Sequence, residues 1–262
     1  MGDRSSTAIH PAAVIHPDAR IGEGVEVGPY AIVEDDVVIG EGTSIGAHAV
    51  IKRYTRMGRE NRVSEHVVIG GEPQDYKFNG CRSYVSIGDG NLIRESVTIH
   101  RGSTPEAHTT IGDRCFLMVA SHVAHDCQLG NGVVLTNSAL LAGFVSIADG
   151  AIISGNVVIH QFCRVGRLAF VGGGARVSQD CLPFIITEGS PARARALNAV
   201  GLRRAGTEAT EITALKRALH VLRTAPRLED ALEELDTDAS ASVAELVRFI
   251  RSSKRGFSHP RL

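Results

Sequence analysis

The sequence predicts a solenoid of parallel β-sheets over most of its length, followed by a small α-helical domain. An aliphatic side chain returns at every sixth residue from Ile9 to Val177, and 26 of the 29 positions in this frame are aliphatic. The 262 residues include 28 glycines and no tryptophan, and only 5% are aromatic. Large rings therefore contribute little to the core, which must be built from aliphatic side chains packed in a regular way.

The period of six explains why strands are expected. Six is an even number, so every frame residue points to the same face of a strand, whereas six residues are not a whole number of helical turns. The next position is often glycine, as at Gly22 and Gly40, which permits tight turns, and the fifth position is small, as at Ala31. Stacked coils then bury a continuous core that no single coil could build.

Two segments, residues 72–84 and 101–110, interrupt the frame. Insertions in a repeat usually form loops on one face, often the binding face. After Pro183 the rhythm stops, so we divide the chain into a β-helix over residues 1–183 and a helical domain over residues 184–262.

Three helices are expected in the second domain. Residues 207–224 place four aliphatic side chains on one helical face. These are Ile212, Leu215, Leu219 and Leu222. The segment RLEDALEELD suggests a second helix, and Ser242 with Glu245 forms a candidate capping box for a third.

Composition and charge exclude several classes of protein. The net charge of −1 gives no reason to expect nucleic-acid binding, and no apolar stretch is long enough to span a membrane. The start MGDRSS has no apolar signal region, so we expect a cytoplasmic protein.

The segment SHVAHDC contains the strongest chemical signal. His122 and His125 are three residues apart, and Asp126 follows the second histidine. An imidazole can take a proton from a hydroxyl near neutral pH, and a neighbouring carboxylate can fix its tautomer. On these residues alone a zinc half-site remains open.

The hexads resemble those of the hexapeptide-repeat acyltransferases, in which three hexads make one coil. With that repeat, His125, Gly143 and Gln161 stack in successive coils at the strand spacing of about 4.8 Å. A parallel column contains Asn137, Gly155 and Gly173. Two glycines in one column leave a groove along the helix axis, which we interpret as a slot for an alkyl chain.

Several dispersed segments occur together in a specific order. They are Gln74–Lys77, IRESVTIHRG (93–102), HVAHDC (122–127), HQFCRVG (160–166), Asn198 and Gly201–Arg204. In this combination the chain resembles the UDP-N-acetylglucosamine O-acyltransferase family of hexapeptide-repeat enzymes. The resemblance implies a left-handed parallel β-helix, a homotrimer with its sites between subunits, and the first step of lipid A biosynthesis. In that reaction an (R)-3-hydroxyacyl chain passes from acyl carrier protein to the 3-hydroxyl of UDP-N-acetylglucosamine, with no metal or other cofactor.

The resemblance also assigns roles to residues. His125 would be the general base, Asp126 would orient it, and the Gly143 N–H would stabilise the oxyanion, without a covalent intermediate. Contacts to the sugar nucleotide or the acyl hydroxyl fall on Asp75, Lys77, His122, His160 and Gln161, and His100 is a weaker candidate. Asn198 and Arg204 would hold the nucleotide and its phosphates.

Two departures from the family pattern matter. Phe144 stands where the family has a histidine, so one sugar contact is lost or replaced by packing. The family's Gly-Asn-His reads Gly189-Ser190-Pro191 here. Gly173 is kept, from which we expect an open groove and a long acyl chain.

Three rival functions remain open on the sequence alone. A γ-type carbonic anhydrase would bind zinc through His100, His122 and His125, and a coenzyme A-dependent acetyltransferase would share the fold. A solenoid can also serve as a non-enzymatic scaffold, because fold does not imply function. Such a scaffold gives no reason for polar residues to converge near His125.

Overall fold

The computed structural model describes residues 7–260 and contains 28 short strands followed by four helices. The start of the chain, from which the cytoplasmic location is predicted, lies outside these residues. The strands form three sheets, which we call A, B and C. Each coil of the chain contributes one strand to each sheet in turn, which is the arrangement of a parallel β-helix.

Within each sheet the strands stack along the axis of the prism, neighbour on neighbour. Sheet A contains β1 (Ala8–Ile9), β4 (Glu26–Val27), β7 (Ser44–Ile45), β10 (Arg62–Val63), β13 (Leu92–Ile93), β16 (Phe116–Leu117), β19 (Val134–Leu135), β22 (Ile152–Ile153), β25 (Phe170–Val171), β27 (Ile185–Glu188) and β28 (Arg193–Leu197). Sheet B contains β2 (Val14–Ile15), β5 (Ile32–Val33), β8 (Val50–Ile51), β11 (Val68–Gly71), β14 (Thr98–His100), β17 (His122–Val123), β20 (Leu140–Leu141), β23 (Val158–Ile159) and β26 (Arg176–Val177). Sheet C contains β24 (Arg164–Val165), β21 (Ser146–Ile147), β18 (Gln128–Leu129), β15 (His108–Ile111), β12 (Tyr84–Ile87), β9 (Thr55–Met57), β6 (Val38–Ile39) and β3 (Arg20–Ile21).

The register of the sheets confirms the hexad frame. In a regular coil the paired residues are three hexads apart, as Ile9 and Val27 are. At the two interruptions the separation grows, to five hexads between Val68 and Thr98 and to four between Thr98 and His122. The first insertion therefore adds two hexads and the second adds one, so the frame returns in phase after each.

From Val27 onward the aliphatic frame residues form the core of the β-helix, as predicted, whereas Ile9 at the open end is 47% exposed. Ile51 and Ile69 are fully buried, whereas Ile32, the residue just before a frame position, is 40% exposed. The small fifth positions also point inward, and Ala31 and Ala49 are fully buried. One aliphatic and one small side chain per strand fill the prism, which leaves little interior room for rings.

A ladder of buried polar side chains runs through one corner of the prism. The backbone N–H and the side-chain Nδ2 of Asn91 each donate to Oδ1 of Asn61 at 2.9 Å. Oδ1 of Asn91 accepts from the Cys115 N–H at 2.7 Å. These bonds satisfy turn amides that the sheets leave without partners.

The end of the β-helix is closed by a hairpin and helices. Strand β27 continues sheet A in parallel with β25, and β28 returns antiparallel to it. The helices are α1 (Ala199–Arg204), α2 (Ala209–Thr224), α3 (Leu228–Asp236) and α4 (Ala241–Arg251). Their apolar faces bury a second core around Phe184, Leu215 and Val243. The strands reach Leu197, and the division at residue 183 stays a prediction.

The helix predictions hold for two helices, and the predicted cap of the third is wrong. The four aliphatic side chains expected to share one face of α2 are all buried, and α3 covers most of the second segment. The N-cap of α4 is Ser240, whose side chain accepts from the Val243 N–H at 3.2 Å. Ser242 lies in the first turn, where its N–H donates to Glu211, a tertiary contact that the local pattern does not reveal.

None of the described helices has both the length and the apolar character that crossing a bilayer requires.

Candidate active site

His125 and Asp126 lie in the turn that joins β17 of sheet B to β18 of sheet C. Nδ1 of His125 is 2.7 Å from Oδ2 of Asp126, and both side chains are about nine-tenths buried, at 10% and 9% exposure. An ionised carboxylate can only accept a hydrogen bond. The proton of the neutral imidazole therefore resides on Nδ1, and Nε2 keeps its lone pair.

Asp126 is held in place by the insertion at residues 101–110. The Ser103 N–H donates to both carboxylate oxygens, at 3.2 and 3.1 Å, and the Asp126 N–H donates to Oγ1 of Thr109 at 2.8 Å. Burial opposes ionisation of Asp126, but the hydrogen bonds from His125 and Ser103 outweigh it and lower the pKa of the carboxyl. Asp126 is thus ionised at neutral pH.

Gly143 lies one coil above His125 and leaves space for the imidazole. A Cβ at position 143 would be 2.5 Å from Cε1 and 2.7 Å from Nε2 of His125. The Phe144 N–H donates to the His125 carbonyl at 3.0 Å, which fixes the two coils in register. Among the described hydrogen bonds, none has the Gly143 N–H as its donor, so this donor is available next to the ring.

Two phenylalanines stack beside the histidine. The Phe144 ring meets the His125 ring edge-on, with centroids 5.3 Å apart, and stacks on Phe162 at 4.8 Å. Phe144 is 37% exposed and Phe162 is 49% exposed. Phe144, which replaces the histidine of the family pattern, therefore packs its ring against His125 in this chain.

His122 projects outward from sheet B and pairs with two neighbours. Its Nδ1 is 2.7 Å from Oγ1 of Thr98, and its ring lies 4.9 Å from that of His100. Burial, together with the other imidazoles, lowers the pKa of His122 and takes the pKa of His100 to about 4. Both rings are neutral at pH 7, so they can serve as hydrogen-bonding groups without adding charge.

His160 and Gln161 lie two coils beyond His125, at the same corner. Nδ1 of His160 is 3.2 Å from the Gln161 carbonyl and 3.4 Å from a terminal nitrogen of Arg255, which belongs to the segment after α4. Both His160 and Gln161 are exposed. Their side chains are available to a ligand that runs along the corner.

The proposed groove residues lie at a different corner of the prism. Asn137, Gly155 and Gly173 occupy successive turns between sheets A and B. A Cβ at Gly155 would find its nearest neighbour at 3.4 Å, and one at Gly173 at 3.5 Å, which are ordinary contacts. Packing within the chain does not require glycine at either position.

The remaining predicted residues do not contact His125 within the described chain. Asp75 and Lys77 lie in the loop 72–84, where the Asp75 carboxylate accepts from the Lys77 N–H at 2.9 Å. Asn198 caps α1, accepting from the Gly201 N–H and donating to the Leu168 carbonyl. Arg204 is exposed at the end of α1.

The sequence analysis missed the residues that support the site. Ser103 and Thr109 fix Asp126, and Thr98 fixes His122. The only signal for the first two was their position in an interruption of the repeat. No group of three or more His, Cys, Asp or Glu side chains within residues 7–260 has an arrangement that could hold a metal ion.

Two family models match the chain. Residues 180–258 match the model described as Udp N-acetylglucosamine O-acyltransferase, Domain 2, and residues 18–53 match Bacterial transferase hexapeptide (six repeats).

Relatives and solved structures agree with these matches. The acyl-(acyl-carrier-protein)–UDP-N-acetylglucosamine O-acyltransferase of Alkalilimnicola ehrlichii is 54% identical over 95% of this chain and 98% of its own. The protein of the same name from Burkholderia orbicola is 46% identical, with the same coverage. The UDP-N-acetylglucosamine acyltransferase of Bacteroides fragilis superimposes with a TM-score of 0.92 at 43% identity, covering 95% of this chain and 98% of that one. The enzyme of Francisella novicida gives 0.92 at 35% identity, covering 97% and 94%.

Proposed function

This chain belongs to the UDP-N-acetylglucosamine O-acyltransferase family, and from that premise we propose how it acts. It is an acyltransferase that moves an acyl chain from acyl carrier protein to UDP-N-acetylglucosamine. The finer proposal is that the acyl chain is an (R)-3-hydroxyacyl group and that it is transferred to the 3-hydroxyl of the sugar. This transfer would be the first step of lipid A biosynthesis. The observation that carries the chemistry is the buried His125–Asp126 pair beside Gly143, whose N–H donates to no partner among the described residues.

In this proposal His125 is the general base. Its Nδ1–H donates to Asp126, so the Nε2 lone pair is free to take the proton of the attacking hydroxyl. The carboxylate then stabilises the imidazolium without taking the proton itself. The sugar oxygen forms a bond to the thioester carbonyl carbon as its proton passes to Nε2.

Gly143 supports the tetrahedral intermediate. Its N–H has no other described partner and lies in the coil directly above the imidazole. A backbone donor fixed next to the base can receive the developing negative charge without reorganising. The intermediate collapses by breaking the carbon–sulfur bond, and the leaving thiolate takes the proton back from His125, so the reaction needs no cofactor.

The position of the groove supports a site shared between copies of the chain. His125 lies at the corner between sheets B and C, whereas Gly155 and Gly173 lie at the corner between sheets A and B. The two corners are separated by the width of sheet B. An acyl chain that starts at His125 reaches such a groove most directly on a neighbouring copy, as in the homotrimer we propose.

The outer faces of the sheets also support a closed ring of copies. Sheet A from β13 onward and most of sheet B present apolar side chains, including Leu92, Leu140 and Val158 at 39%, 41% and 48% exposure, whereas the earlier coils of sheet A carry Glu26, Ser44 and Arg62. The outward positions of sheet C are mainly polar: Arg20, Arg56, Ser86, Thr110, Gln128, Ser146 and Arg164. Apolar regions on two faces and a mainly polar third face are what a subunit needs when it meets two neighbours through different surfaces.

The other predicted residues complete the proposed substrate site. His122, His160 and Gln161 would contact the sugar nucleotide or the acyl hydroxyl on the histidine side. Asp75, Lys77, Asn198 and Arg204 would reach the nucleotide across the interface of a trimer. Two further parts of the proposal are the left-handed coil, supported by TM-scores of 0.92, and a cytoplasmic location, supported by five free cysteines.

The test is an acyl-transfer assay with UDP-N-acetylglucosamine and acyl carrier proteins loaded with 3-hydroxyacyl chains, with the product identified by mass spectrometry. We expect transfer by the wild type and its loss in His125→Ala with an unchanged melting temperature. Normal transfer by His125→Ala would refute the base assignment.

Two arms of the assay and a metal analysis separate the three rival functions. Equal or faster transfer from coenzyme A thioesters would favour a coenzyme A-dependent acetyltransferase. No transfer from any thioester would favour a scaffold, or the γ-type carbonic anhydrase if the pure protein contains stoichiometric zinc. Size measurement in solution tests the trimer.

A further inference from the structure

A buried guanidinium lies at the base of the loop 72–84. The side chain of Arg101 is only 5% exposed and pairs with Glu72 at 3.3 Å. Its guanidinium carbon lies 5.4 Å from the ring centre of Tyr54 and 5.1 Å from that of Phe78. A charge removed from water in this way is retained only where its partners compensate for the loss of hydration.

The partners of Arg101 belong mostly to the loop. Glu72 begins the loop, and Phe78 packs its ring against the guanidinium. The Phe78 N–H also donates to the Asp75 carbonyl at 2.9 Å, which closes the turn that carries Asp75 and Lys77. By packing against Phe78, Arg101 therefore also fixes the positions of Asp75 and Lys77, the two predicted substrate contacts.

The backbone around Arg101 is fixed independently of its side chain. The Arg101 N–H donates to the Gly71 carbonyl at 2.9 Å, and the Gly102 N–H donates to the Tyr84 carbonyl at 3.2 Å. Gly102 has no room for a Cβ, which would lie 2.5 Å from the Ala107 carbonyl oxygen. The backbone thus delivers Ser103 to Asp126 whether or not the guanidinium is present.

We infer that Arg101 is a positioning residue for substrate binding, which anchors the loop 72–84 over the site through Glu72 and Phe78. The inference rests on the proposed function. An arginine suits this role because its planar group can lie against a ring and still pair with a carboxylate. A lysine keeps the charge but cannot do both.

Because the guanidinium and the backbone of Arg101 act on different parts of the site, removing the guanidinium should change KM much more than kcat. Removing the guanidinium should loosen the loop and raise KM for UDP-N-acetylglucosamine by about tenfold or more, since the lost contacts act on binding. The kcat should stay within about threefold, because the Ser103–Asp126 contact uses a backbone N–H. Arg101→Lys should fall between Arg101→Met and the wild type.

The experiment compares Arg101→Met and Arg101→Lys with the control Arg227→Met. Arg227 is an exposed arginine on the helical domain whose side chain pairs, among residues 7–260, only with Asp230. The measurements are KM, kcat, melting temperature and the rate of trypsin cleavage after Lys77, located by mass spectrometry. We expect faster cleavage at Lys77 in both Arg101 variants and none of these changes in the control.

Several outcomes would overturn the inference. One is an unchanged KM in folded Arg101→Met. Another is a rise in KM that accompanies a lowered melting temperature and trypsin cleavage throughout the chain, because this would indicate general destabilisation. If Arg101→Met does not fold, Arg101→Lys and Phe78→Leu make the same test. Trypsin cleavage requires no turnover, so a wild type without acyl transfer refutes the proposed function while the anchoring of the loop is still measured.

Discussion

Replacing Gly143 by alanine adds one methyl group directly against the imidazole of His125. The new Cβ would lie 2.5 Å from Cε1, whereas an ordinary carbon–carbon contact is about 3.5 Å, so the ring must retreat by about 1 Å. It cannot do so freely, because Nδ1 is bonded to Asp126 and Phe144 packs edge-on against the ring. A misplacement of this size at a reacting group costs about 10²-fold in rate, or about 2.7 kcal/mol of transition-state stabilisation.

The assay for Gly143→Ala is kcat/KM with the acyl-carrier-protein thioester, together with the melting temperature. Alanine keeps the backbone N–H, and position 143 does not have a left-handed φ, so the loss should come from the displaced ring. The clash with the ring should also lower the melting temperature of Gly143→Ala. The double variant with His125→Ala is the control for this effect, because without the ring the extra methyl should no longer lower stability. Near wild-type activity in Gly143→Ala would refute the requirement for this ring position.

Four further outcomes follow from the structure. Asp126→Asn should lower kcat by about 10²-fold or more, because a neutral amide cannot stabilise the imidazolium; an unchanged kcat would contradict this. The pKa of His100 is about 4 in the folded chain against 6.5 when unfolded. As pH drops, the unfolded chain is protonated at His100 before the folded chain, so the free energy of unfolding should fall between about pH 6.5 and 4. Urea unfolding should show a smaller fall for His100→Gln than for the wild type, and equal falls would contradict the assignment. Asn91→Ala should cost about 1–3 kcal/mol in urea unfolding, because it leaves the Cys115 N–H without its acceptor; a cost near zero would show that the ladder is replaceable. Gly173→Leu should fold normally and shift the preferred acyl chain to a shorter length in a competition assay, whereas an unchanged preference would place the groove elsewhere.

The β-helix could be predicted from the sequence because an aliphatic residue recurs at nearly every sixth position. Each coil repeats the same local rule, so Ile51 and Ala49 are buried for the same reason as their equivalents in other coils. The cap of α4 could not be predicted in this way. Ser242 matches the local pattern, but Ser240 occupies the N-cap, and both serines donate to Glu211 on another helix.

The site was predictable where it follows the repeat and was missed where it depends on the insertions. The stacking of His125 and Gly143 follows from their spacing of one coil, and the structure places them in contact. Ser103 and Arg101 act through loops whose paths no periodicity describes. In the proposed trimer, Asn198 and Arg204 would reach a substrate held partly by another copy of the chain, and a pattern within one chain carries no information about such contacts.

The His–Asp pair shows how a corner of the prism makes a site that a flat strand cannot. In an extended strand successive side chains point to opposite faces, so residues 125 and 126 would be separated. Asp126 instead has a φ of +61°, in the left-handed region that aspartate tolerates better than most residues. This conformation folds the carboxylate back onto the preceding imidazole, and Thr109 and Ser103 hold it there. The same corner one coil on has Phe144 at the same φ, with its ring against His125. The turn that lets the solenoid change direction therefore also orients the imidazole of His125, and the side chains at this corner can differ between coils while the aliphatic core stays the same.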